Sequence, residues 1–172
     1  MLSPKRGEAG ASAVEFALIL PLLVVLIFGI IFGGFAFNTK LTITQAAREG
    51  ARFGATLPLE PGQSVPGDAW FAAVLERVED SAFGDQGLRG GERYVCIRFV
   101  PDSGTAVPPR EFGNTAAGDC TLPSSSVDDR ERVEVVVSRP TTLEFIFYSF
   151  DVTLRSAGIA RYEAPLQSGG GS

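Results

Sequence analysis

From Phe16 to Thr39 the chain carries 24 consecutive residues without a charge, nearly all of them apolar. At 1.5 Å rise per residue, about 20 such residues cross a bilayer, so this stretch predicts a membrane-spanning helix. A cleaved secretory signal peptide is the obvious competitor. Its apolar region runs about 7–15 residues, shorter than this one, and Phe32-Gly-Gly-Phe-Ala-Phe-Asn38 makes a poor cleavage site. Lys5 and Arg6 precede the stretch, and the positive-inside rule puts the N-terminus in the cytoplasm, although Lys40, Arg48 and Arg52 follow. Pro21 lies within the stretch and removes one backbone hydrogen bond, which loosens or kinks the helix above Glu15. Gly29-Ile-Ile-Phe-Gly33 has the small-xxx-small spacing that lets membrane helices approach closely.

Beyond Thr39 the pattern becomes amphipathic. Ala47, Ala51 and Ala55 are spaced four apart, as are Ala46, Gly50 and Gly54. Both rows fall on one side of a helix and form a narrow strip of small residues, suited to packing against the protein's own domain or against adjacent subunits. A continuous helix from Ala11 to Ala55 is ~68 Å long, more than any bilayer needs, so its upper half must project from the membrane.

The segment Leu57–Gly67 holds three prolines and two glycines and predicts a loop. Asp68, as an N-cap, then opens a helix through Phe83, with Trp70 or Phe71, Val74, Leu75 and Val78 at helical spacing and Gly84 as its stop. Arg93–Val100 reads as a strand, residues 101–130 as one long loop, and Arg132–Ser138 as a second strand stopped by Arg139-Pro140. The aromatic run Thr142–Phe150 predicts a short helix or turn, its apolar face against the sheet or the membrane surface; core is the simpler role for Phe145–Phe150. Asp151–Glu163 predicts a third strand, with a possible bulge at Gly158. The expected class is α+β: a long N-terminal transmembrane and stalk helix, followed by a small antiparallel sheet with one or two packed helices. The expected divisions are a leader at 1–10, the helix at 11–56, an exported domain at 57–166 and a flexible tail at 167–172.

Charge and composition narrow the function. The net charge of −5 and the scattered Lys and Arg argue against a nucleic-acid partner. The sequence has no histidine, so Ser-His and Cys-His nucleophile systems cannot be built. Asp128, Asp129 and Glu131 read as a solvated loop before a strand, Asp102-Ser-Gly-Thr as a turn, and Gly87-Leu-Arg-Gly-Gly91 lacks the lysine of a phosphate-binding loop. The reading is of a non-enzyme without cofactor or metal. Cys96 and Cys120 are the only cysteines, and an exported domain allows a disulfide that staples the irregular segment between them.

Glu15 stands at the start of the uncharged stretch, where a carboxylate needs a specific partner: dragged to the bilayer centre it costs roughly 2.5–3.5 kcal/mol. It falls five residues after Gly10, in Gly10-Ala-Ser-Ala-Val-Glu15-Phe16. That spacing resembles the processing signature of type IV prepilins. With Pro21, with Gln45-Ala-Ala-Arg-Glu-Gly-Ala-Arg52 and with the closing Val152–Glu163 segment, the chain resembles the TadE/TadG-like family, minor pilins or pseudopilins of tight-adherence (Flp) pili. The resemblance implies cleavage after Gly10 by a prepilin peptidase, with Ala11 as the new N-terminus. It implies assembly roles for Glu15, Phe16 and Pro21, and a Glu15 that meets a free N-terminal amine. The implied partners are the peptidase, other major and minor pilins, the inner-membrane assembly platform and the lipid bilayer. Major Flp pilins are very short, so an added domain favours a minor, tip or initiator role. The competing reading is a single-pass anchored binding domain unrelated to pili.

Overall fold

The computed structural model describes residues 8–83, 93–102, 107–114, 118–121, 130–144 and 148–163. Helix α1 (Glu8–Thr56) runs 49 residues, ~73 Å at the helical rise, and continues through Pro21. Leu57 closes it with N–H bonds to the Phe53 and Gly54 carbonyls. The chain then turns through Glu60-Pro-Gly-Gln63, where Gln63 N donates to Glu60 O at 3.0 Å. Proline presets the second position of this turn, and Gly62 takes the positive φ of 84° that the third requires. Helix α2 (Asp68–Phe83) follows. Its first intrahelical bond runs from Phe71 N to Gly67 O, so Gly67 is the cap residue. Asp68, expected as the cap, lies one position inside, where its charge favours the positive end of the helix dipole. Gly84 lies outside the described residues.

Among the described residues, four antiparallel strands form one sheet in the order β2-β1-β3-β4: β1 (Tyr94–Val100), β2 (Arg110–Gly113), β3 (Arg132–Glu144) and β4 (Ser149–Arg161). Four expectations change here. The long loop of 101–130 contains β2, a short exposed edge strand. β3 does not stop at Pro140, and of the aromatic run, expected as a short helix or turn, the described residues Thr142–Glu144 and Ser149–Phe150 are the distal ends of β3 and β4. The two strands pair without interruption from Arg132↔Arg161 to Glu144↔Ser149, so Gly158 sits in regular register opposite Val135 and there is no bulge.

Strand alternation sorts the sheet into two faces. Val95, Ile97 and Phe99 of β1 and Val133, Val135 and Val137 of β3 face the helices. They bury Ile43, Ala46, Ala47 and Ala51 of α1 and Trp70, Phe71, Val74 and Val78 of α2. Trp70 and Phe99 meet edge to face at 6.0 Å, and Phe99 and Tyr162 at 5.2 Å. The opposite face carries a second cluster of Tyr94, Cys96 and Val136, with Cys120 and Ala157 packed against it. The result is an α+β fold of pilin-like shape, in which the upper half of α1 is a core element of the domain.

Candidate functional site

The two halves of α1 have opposite environments. Between Ser12 and Phe37 every described side chain is exposed or only partly covered; Val14, Leu18, Leu22, Val25 and Ile30 face outward with nothing packed on them. An apolar helix bare on all sides cannot be stable in water, whereas lipid solvates it. The helix from Ser12 is long and apolar enough to cross a membrane. Thr39, Thr42 and Thr44 return their hydroxyls to the carbonyls four residues earlier, at 3.1, 3.0 and 2.7 Å. Such bonds satisfy polar side chains locally where the chain leaves an apolar medium.

Gly10 and Ala11 lie in the first turns of α1, and Glu15 follows one turn after Ala11. Glu15 and Phe16 are exposed, and Pro21 is exposed one to two turns further on. Gly29 and Gly33 have open space where a Cβ would stand. They leave a shallow notch on the bare half of the helix.

The small-residue strip of the upper half is used within the molecule. Ala46, Ala47, Ala51 and Ala55 are buried. A Cβ on Gly50 would overlap Val78, and one on Gly54 would come within 3.0 Å of Trp70 and Val74. At Ala47 of the same strip, β4 lies so close at Gly158 that a Cβ there would run into the Ala47 carbonyl. Sequence analysis did not identify Gly158 as a packing residue; only the sheet register places it against the helix. Further along, Glu163 N donates to Ala55 O at 2.9 Å and the Tyr162 hydroxyl to Leu57 O at 2.7 Å. Arg77 of α2 reaches Glu49 of α1 at 2.6 Å and lies 5.7 Å over the Phe53 ring.

Cys96 and Cys120 form a disulfide, with their Cα atoms 5.7 Å apart. It pins Gly118–Thr121 over the sheet face that the helices leave uncovered. Arg155 pairs with Asp119 at 2.5 Å and donates to the Asp119 and Thr121 carbonyls. A hydrogen bond from Thr121, with Arg155 beside it, holds the Asp119 carboxyl below the usual carboxylate range. Beneath the strap, burial pushes the Tyr94 phenol up to about 12, and the Glu111 carboxylate adds to the shift. Next to Cys96 on β1, Arg98 binds Cys120 O at 3.0 Å and pairs with the buried Glu134 at 3.0 Å; Arg132 pairs with the same carboxylate at 2.7 Å.

No group of three or more His, Cys, Asp or Glu suited to a metal ion occurs among the described residues. Asp128, Asp129 and Gly87–Gly91 lie outside them. The geometry therefore defines an α+β protein on a single apolar helix, whose distinctive chemistry is one carboxylate at the start of the apolar stretch. Residues 10–52, about a quarter of the chain, match the family model for TadE-like proteins. The matched span begins at Gly10, contains Glu15, Phe16 and Pro21, and ends within the small-residue strip; it suggests a protein associated with Tad pili. No curated protein and no solved structure matches the chain.

Proposed function

We propose that the protein is a minor pilin or pseudopilin of a tight-adherence pilus. A prepilin peptidase cuts between Gly10 and Ala11, and the retained helix anchors the subunit in the inner membrane with its domain on the far side. The subunit then joins other pilins at the assembly platform and contributes to initiation, assembly or the tip.

The observation that carries this reading is the position of Glu15. Its carboxylate stands on a helix with only apolar neighbours beyond it, one turn from the bond that cleavage would open. Cleavage creates an ammonium at Ala11. Residues four apart share a helical face, so that ammonium can approach Glu15 of the same chain or of a neighbour. Near a low-dielectric phase, an opposite charge stabilises the carboxylate far more than water-screened contacts do. The TadE-like match over the same residues also supports the reading. Cleavage needs the first turns of α1 to open, and terminal turns are the ones that fray at least cost.

The test is Glu15→Leu in cells that make the pilus. Insertion of the subunit should be unchanged, because the substitution makes the stretch more apolar, while incorporation into pili is lost. Normal pili built with Glu15→Leu would remove the role given to this residue.

A further inference from the structure

The β3–β4 pair outruns the sheet. β1 pairs with β3 only as far as Ser138, yet β3 and β4 stay paired to Glu144 and Ser149. Among the described residues, the distal segments Arg139–Glu144 and Ser149–Leu154 thus form a two-stranded ribbon with no third strand beside it. A two-stranded ribbon is marginal in water on its own. This one exposes apolar side chains: Tyr148 is 73 % exposed, Phe150 55 % and Val152 39 %. Phe150 and Val152 have the strand parity of Leu154, Ser156 and Gly158, the side that faces α1.

Contacts between β4 and α1 fix where the ribbon points. Glu163 meets α1 at Ala55, Gly158 at Ala47, and Ser156 donates to the Thr44 hydroxyl at 3.0 Å. Going backward along β4 therefore descends α1 toward its apolar half. From Glu163 to Ser156 the strand covers ~23 Å, while the facing helix positions, Ala55 to Thr44, cover ~17 Å. At the same inclination, the ~20 Å from Ser156 to Phe150 descends ~14 Å of helix, to about the level of Phe35. The uncharged stretch Phe16–Thr39 is ~36 Å long and the hydrocarbon core ~30 Å thick, so this level lies at the outer boundary of the bilayer.

We infer that the end of the β3–β4 ribbon rests on the outer surface of the bilayer that α1 crosses, with Tyr148 and Val152 at the lipid interface. The inference depends on α1 being a membrane anchor. Covalent continuity with that anchor selects lipid as the occupant: the ribbon hangs beside the helix at a depth the helix itself sets. Tyrosine suits the place, since its ring enters the headgroup region while its hydroxyl stays wet. A second contact of this kind would hold the domain at a fixed angle on the membrane before the subunit is extracted.

The test uses the full chain, with the Cys96–Cys120 bond left oxidised, in vesicles of phosphatidylethanolamine and phosphatidylglycerol. An environment-sensitive fluorophore is attached at Tyr148→Cys, and separately at Ile27→Cys within the apolar helix and at Gln63→Cys near the far end of α1. Lipids carrying a nitroxide near the headgroup should quench the probe at 148 and shift its emission to the blue, while the probe at 63 does neither. If 27 is quenched by deep nitroxides and 148 behaves like 63, the ribbon stands in water and the inference fails. If 27 is not quenched, the anchor reading falls and takes the inference with it. A blue shift at 148 without nitroxide quenching, lost on diluting the protein in lipid, would assign the ribbon to a second copy of the chain and overturn the inference.

Discussion

Gly158 of β4 lies directly on Ala47 of α1, with no room between strand and helix for a side chain. A Cβ at this position would meet the Ala47 carbonyl and come within 2.6 Å of the Arg48 nitrogen, both of them backbone atoms that cannot rotate aside. Helix and sheet would have to separate. Gly158→Ala should destabilise the domain by about 3 kcal/mol, the upper part of the range for overpacking. Urea unfolding of the detergent-solubilised chain reads this loss, and an unchanged midpoint would refute the packing described.

The Cys96–Cys120 bond closes a segment 24 residues apart in sequence and holds the strap over the second face of the sheet. Chain entropy alone assigns such a closure about 3.5 kcal/mol. Reduction, or Cys120→Ser paired with Cys96→Ser, should lower the thermal midpoint and expose Tyr94 to solvent. Equal midpoints with and without reductant would contradict a structural role for the pair.

Tyr94 gives the strap a signature in pH. Burial pushes its phenol from the ordinary 10.0 up to about 12 in the folded chain, so the folded state holds the proton more tightly. The stabilisation is complete below pH 10 and is lost as pH rises from 10 toward 12, by roughly 3 kcal/mol across the interval. Glu111 lies near the hydroxyl without forming a hydrogen bond of good geometry. Tyr94→Phe should therefore leave stability at pH 7 nearly unchanged and flatten the alkaline loss. Burial also raises Tyr162, so a smaller slope persists. An alkaline profile identical to that of the parent chain would count against the burial of Tyr94.

Glu134 is buried between Arg98 and Arg132, at 3.0 and 2.7 Å. Both arginines keep about a quarter of their side-chain surface in water, at 26 % and 24 %. Removing the carboxylate leaves them partly solvated, so Glu134→Leu should cost about 2 kcal/mol, less than breaking a fully buried pair. Chemical unfolding of the variant gives the value. A gain in stability would mean that the ion pairs cost more to bury than they return.

The parts of this architecture that could be read from sequence are those in which one physical pattern dominates. An uncharged apolar stretch of this length admits one structure in lipid, and small residues at every fourth position mark a helix face that something must approach closely. The ribbon was misread because Pro140 resembles a strand stop and the aromatic run hides the alternation of a strand. Pro140 lies beyond Ser138, the last β3 residue paired with β1, where among the described residues β3 has a neighbour on one side only, the edge setting in which sheets accommodate proline. β2 was hidden for a related reason: a short, exposed edge strand buries too little to leave a periodic trace. The partner of the small-residue strip was undecided between subunit and domain, since close packing looks the same in sequence whichever surface supplies it. The contacts with Val78, Trp70 and Gly158 assign it to the domain.

The proposed function makes this chain a processed pilin. Its most direct test is the intact mass and N-terminal sequence of the membrane-extracted protein, from cells with and without their prepilin peptidase. A processed pilin begins at Ala11 when the peptidase is present and keeps Met1 when it is absent. A chain that keeps Met1 in both, or one cut beyond Phe37, would contradict it.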